Sequence, residues 1–136
     1  MSNFKVFDIA GSGMSAQSVR LNTVASNLAN ADSVSGDPAT VYRARHPVFQ
    51  AVLGAGLDPA TAGVKVSGIV ENQAAPDVRY DPGNPLADAQ GNVYAPNVNV
   101  VEEMADMISA SRSYQNNVEV LSTSRDMMLA TLKLGQ

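Results

Sequence analysis

The chain has 136 residues, 45% of them hydrophobic, with few aromatics, no tryptophan and no cysteine, and its 9 basic and 13 acidic side chains leave a net charge of −4. That length gives one domain with a modest core. A mild acidic balance without a basic patch excludes a nucleic-acid footprint and a polybasic membrane anchor, and the missing cysteines exclude disulfides and thiolate metal sites.

Met1-Ser2-Asn3-Phe4-Lys5 opens no long apolar run, and no apolar stretch of membrane-spanning length follows, so neither a cleaved signal nor membrane insertion is expected. From Asp8 to about Ala31 the pattern repeats every seventh residue. Phe7, Met14, Leu21 and Leu28 take one seam position, and Ala10, Gln17, Val24 and Ala31 the other. This predicts a helix with a narrow apolar seam. Only Asp8 and Arg20 are charged within it, which points to a helix surrounded by others, because a lone solvent-facing helix carries a charged outer face.

Residues 32–96 hold all seven prolines and seven of the ten glycines, and read as turns with short strands. Val41 to Arg45 predicts a strand, halted at His46-Pro47 and resumed at Val48-Phe49. Val64, Val66 and Val70 alternate in a second strand, and Asp77–Tyr80 and Asn92–Tyr94 give two weaker ones. Asp81-Pro82-Gly83-Asn84-Pro85 reads as a turn with Gly83 able to take positive φ, and Ala51 to Gly63 as a mobile loop tip.

The stretch from Asn97 to Gln136 repeats the seven-residue pattern. Met104, Val118 and Leu132 fall at one position, and Met107, Tyr114, Leu121 and Met128 at the other, interrupted by Ser111 and Arg125. Glu102, Glu103 and Asp106 suit the start of a helix dipole, and Lys133 with Gly135 its end. A helix over roughly 98–134 would be about 50 Å long, and it needs a partner along most of that length. The expected architecture is mainly α with a β insert: residues 1–31 and 97–136 pair as an antiparallel coiled coil, with 32–96 the β-rich insert. Equal rise per residue then places Leu28 near Met104 to Met107, and Phe7 near Leu121 to Met128.

Gly11, Gly13 and Ala16, with Asp32 about twenty residues on, satisfy the G-x-G-x-x-G/A dinucleotide pattern. A polar, helix-periodic sequence stands where that site needs buried strands, so the alternative reading is small residues that let helices approach closely. His46, the single histidine, has no second histidine or cysteine for a metal or triad. Asp77, Asp81 and Asp88 lack calcium-loop spacing, and Met104, Met107, Met127 and Met128 read as packing. No catalytic residue, metal or cofactor is assigned.

Phe7-Asp8-Ile9-Ala10-Gly11-Ser12-Gly13-Met14-Ser15-Ala16-Gln17, followed by Arg20-Leu21-Asn22 and Ala25-Ser26-Asn27-Leu28-Ala29-Asn30, resembles the N-terminal signature of bacterial flagellar rod and hook proteins. The run Pro96-Asn97-Val98-Asn99-Val100-Val101-Glu102-Glu103-Met104, then Ser109-Ala110-Ser111-Arg112-Ser113-Tyr114-Gln115-Asn116-Asn117, is similar to the family's second signature. The resemblance covers nearly the whole chain and is weakest between Ala51 and Gly63. It implies a non-enzymatic subunit of the proximal rod, with Ser26, Asn27, Leu28, Asn30, Asn97, Asn99, Glu103, Met104, Tyr114, Gln115 and Asn117 as signature residues. It also implies torque transmission from rotor to hook, and export through the flagellar type III apparatus without a cleaved signal. The implied partners are other rod proteins, copies of itself and a rotor-ring adaptor, in a periplasmic rod; no nucleic acid and no small-molecule substrate are among them. The competing readings are a small dinucleotide-binding protein and a homodimeric coiled-coil adaptor.

Overall fold

A computed structural model describes residues 3–53 and 62–134. Two helices carry the chain, α1 (Asn3–Asn30) and α2 (Val100–Leu134). Between them lie two antiparallel hairpins, one of β1 (Arg45–Val52) with β2 (Gly63–Glu71), the other of β3 (Asp77–Tyr80) with β4 (Asn92–Ala95). The expected β insert is therefore present, and most of the 51–63 loop lies outside the described residues, as does the expected glycine stop at Gly135.

The helices touch at three pairs that set their direction. Asn27 meets Glu103, Arg20 meets Asp106, and Gly13 faces Asn117. Numbers fall along α1 as they rise along α2, so the two run antiparallel. At equal rise, the start of α1 lies opposite about residue 127, and the end of α2 extends beyond it. Leu132, 68% exposed, sits on that overhang.

Hairpin β1–β2 lies against α1. At one end Ser12 Oγ accepts from the Val64 amide at 3.1 Å while donating to the Ile9 carbonyl at 2.8 Å. At the other end Asn27 binds Arg45. The expected strand at 41–45 is displaced: the ladder begins at Arg45 and runs through His46 and Pro47, which pair with Val70 and Ile69. A two-stranded ladder has a free edge on each strand, where a missing proline donor is tolerated, and a bulge follows between Val48 and Phe49. Val41 and Ala44 are buried without joining a strand.

The second hairpin is widened by Ser35, which exchanges both backbone hydrogen bonds with Tyr94 at 2.8 Å. Its β4 residues Val93 and Ala95 are buried. Positive φ falls at Gly91 (82°) among the described residues, not at Gly83; a Cβ at Gly91 would meet Tyr80 Cε2 at 3.0 Å and Pro82 Cβ at 3.1 Å. Asp88 closes this turn. Its Oδ1 accepts from the Asn92 and Gln90 amides at 2.8 and 2.9 Å, and its Oδ2 from the Tyr94 hydroxyl at 3.1 Å.

Candidate assembly interface

Where α2 begins, Asn99 caps it: Oδ1 accepts from the amides of Val101 (3.1 Å) and Glu102 (3.3 Å), and its carbonyl accepts from Glu103. The cap orients the first turn so that Glu103 faces α1, where it is only 5% exposed. Its Oε1 accepts from Asn27 Nδ2 at 2.9 Å, and its Oε2 is buried with no hydrogen-bond partner among the described residues. Burial pushes this carboxyl above its ordinary value. The Asn27 bond and the charge of His46 pull it down, and Asp106 and Glu102 push it up.

Asn27 is fully buried and saturated. Besides Glu103, Nδ2 donates to the Arg45 carbonyl at 2.9 Å, while Oδ1 accepts from the Arg45 amide at 2.9 Å and the Tyr42 hydroxyl at 2.8 Å. The side-chain amide thus serves Arg45 as a neighbouring strand's peptide group would, and uses both donors and both acceptor positions. Ser26 Oγ lies 3.1 Å from the Tyr42 hydroxyl, and Asn30 Nδ2 donates to the Ser26 carbonyl at 2.8 Å. One residue joins three parts of the chain: α1, the segment entering β1, and α2.

Farther along, Arg20 Nη2 donates to Asp106 Oδ1 at 2.7 Å. Ala10, Val24, Ala31 and Ala110 are buried, and Gln17 Oε1 is a second buried oxygen unbonded among the described residues. A Cβ on Gly13 would stand 2.8 Å from Asn117 Nδ2, so the glycine permits the close approach.

On α1 these contacts keep the expected line of Ala10, Val24 and Ala31 in the seam but put Gly13, Arg20 and Asn27 where Met14, Leu21 and Leu28 were expected, and on α2 they shift both expected stripes by one residue. On α1 the line runs through Ala10, Gly13, Arg20, Val24, Asn27 and Ala31; on α2 it runs through Glu103, Asp106, Ala110 and Asn117. Ala10, Val24 and Ala31 lie in the seam as expected. Phe7, Met14, Leu21 and Leu28 are half-buried beside it, as are Met107, Leu121 and Met128. Met104 (53%), Val118 (44%), Tyr114 and Leu132 are exposed. The physical reason is that Glu103 finds its one hydrogen-bond donor among the described residues only by facing Asn27, and glycine and alanine let the backbones close around the pair.

Met14, Leu21 and Leu28 on α1, and Met104, Met107 and Val118 on α2, each follow a seam residue by one position and are turned about 100° from it in the same rotational sense along their own helix. In an antiparallel pair that rotation carries both stripes to the same side. The opposite flank of α1, bearing Ser12 and Ser26, is the one tied to the β segment. One side of the helix pair is therefore a shared apolar face that the chain itself leaves open.

Residues 7–36 match the family model described as flagella basal body rod protein, and residues 89–134 match that of flagellar basal body rod FlgEFG protein C-terminal. Over its full length the chain is 58% identical to the flagellar basal-body rod protein FlgC of Escherichia coli O6:H1 and 57% identical to that of Salmonella typhimurium, covering all of each. To the FlgC of Aquifex aeolicus it is 43% identical, across 98% of the chain and 97% of the relative. The chain belongs to the FlgC family of flagellar basal-body rod proteins. It is a structural subunit of the flagellar basal-body rod and not an enzyme.

Several of the residues expected from the resemblance to be signature positions have a physical place in the fold. Ser26, Asn27 and Asn30 form the junction on α1, Asn99 and Glu103 form it on α2, and Asn117 lies over Gly13. Leu28 is half-buried, while Asn97, Met104, Tyr114 and Gln115 are exposed. The dinucleotide alternative fails on secondary structure: Gly11, Gly13 and Ala16 are mid-helix in α1, with no strand before them among the described residues, and Asp32 is exposed in the turn after it. Sequence reasoning missed the role of Tyr42 and Arg45, whose contacts with Asn27 come from a segment read only as a strand. It also missed the Arg20–Asp106 pair. The available signal there was an opposite charge on each helix near the expected register.

Proposed function

We propose that the shared apolar face of α1 and α2 is the surface through which this rod subunit is built into the axial tube. On this reading, residues 1–31 and 97–136 form an axial core whose two helices pair as a coiled coil, with 32–96 set outside it. The stripes of Phe7, Met14, Leu21 and Leu28, and of Met104, Tyr114, Val118 and Leu132, are covered by helices of neighbouring copies and of other rod proteins. A seven-residue spacing suits a helical partner, and repeated heterologous contacts of this kind build a tube. Such a tube carries torque from rotor to hook. The family resemblance adds the rest: export through the flagellar type III apparatus without a cleaved signal, a rotor-ring adaptor at one end, and a periplasmic location.

The observation that carries this reading is the exposure of Met104 and Val118 at heptad spacing, beside an intrachain seam that does not use them. Met104→Asp and Val118→Asp test it. Both sites are exposed in the single chain, so the purified variants should unfold at the wild-type urea midpoint and be secreted at wild-type level, yet yield no rods and no swimming. Swimming cells carrying both substitutions would overturn the assignment of this face.

A further inference from the structure

Glu103 has one oxygen bonded to Asn27 and the other buried with no partner among the described residues. In that setting an ionised carboxylate loses its hydration without replacement, whereas a neutral carboxyl loses much less. The Asn27 bond and the charge of His46 favour the ionised form, and burial outweighs them. On α1, Arg20 is bonded to Asp106. Before β1, the Tyr42 hydroxyl donates to Asn27. On β1, Arg45 reaches Glu71 at 3.2 Å and lies 5.6 Å over the Tyr42 ring, leaving exposed His46 as the basic group acting on Glu103. On α2 itself, Glu102 and Asp106 oppose another negative charge.

We propose that the Asn27–Glu103 junction is a proton-dependent latch: with Glu103 neutral the first turn of α2 is held on Asn27, and ionising that carboxyl loosens α2 from α1. The latch stands whether or not the apolar face is a subunit interface. A carboxyl whose folded value is raised binds its proton more tightly in the folded chain. Its contribution is complete below the unfolded value, ordinarily 4.5 for this group, and is lost as pH rises through the folded one.

The test is urea unfolding of the full chain and of the Glu103→Gln and His46→Gln variants, at steps from about pH 8 down to about pH 5. The wild-type midpoint should rise as pH falls, Glu103→Gln should stay level, and His46→Gln should keep the rise. A Glu103→Gln midpoint that rises in parallel with wild type would overturn the latch, as would loss of the rise in His46→Gln. If Glu103→Gln does not fold, the 13C carboxyl resonance of Glu103 in the labelled wild-type chain decides. Its titration midpoint should lie above 4.5, and a midpoint at or below that value would refute the proposal.

Discussion

Asn27→Ala removes the one side chain that contacts α2, β1 and Tyr42 together. Four hydrogen bonds vanish, and the cost depends on what their partners do next. Glu103 is buried and loses its one donor among the described residues, at about 2–3 kcal/mol for a polar group left unpaired out of water. The Arg45 amide and carbonyl are only partly buried and can recruit water in the space vacated, and the Tyr42 hydroxyl keeps Ser26. Those three together add about 1–2 kcal/mol. The sum, about 3–5 kcal/mol, is a large share of the roughly 5–15 kcal/mol that holds a domain folded. Urea unfolding of the full chain, followed by far-UV circular dichroism, should show the loss at about pH 5, the low end of the range over which the latch is tested. A change below about 1 kcal/mol would refute the claim that this junction holds the helices together, since it would fall within one ordinary hydrogen bond.

Gly13→Val should lower stability by about 1–3 kcal/mol through overpacking against Asn117, and Asn117→Ala in the same chain should return part of it, as measured by the same unfolding curves. The Asp88 carboxyl is held below its usual value, first by the Asn92 amide and then by the Gln90 amide and the Tyr94 hydroxyl, against the opposing effect of burial. Its stabilising contribution is therefore present above the ordinary carboxylate value and is lost as pH falls through the lowered one. The protection of β3–β4 amides, relative to the intrinsic exchange rate at each pH, should fall on acidification in wild type and lose that dependence in Asp88→Asn.

Both helices were legible because a seven-residue apolar repeat survives any tertiary context, and Glu102, Glu103 and Asp106 marked the start of the second. Their antiparallel course was legible too, from the chain leaving along one and returning along the other. The contact line was legible only in part, through Ala10, Val24 and Ala31. Periodicity shows which residues are apolar on one face, but a buried Asn27–Glu103 pair and a Gly13–Asn117 approach outweigh that face in deciding what turns inward, and neither has a periodic signature. The ladder at His46-Pro47 was hidden for a related reason. Proline reads as a strand break unless the strand has a free edge, and the number of strands in a sheet is not written locally.

The apolar face proposed for assembly can be probed with one label, because the chain has no cysteine of its own. Met104→Cys places a single thiol on that face, 53% exposed in the isolated subunit. The measurement is the rate of maleimide labelling of this cysteine in the purified subunit and in isolated basal bodies. Fast labelling of the subunit and protection in the assembled rod is the predicted result; equally fast labelling in both would contradict it.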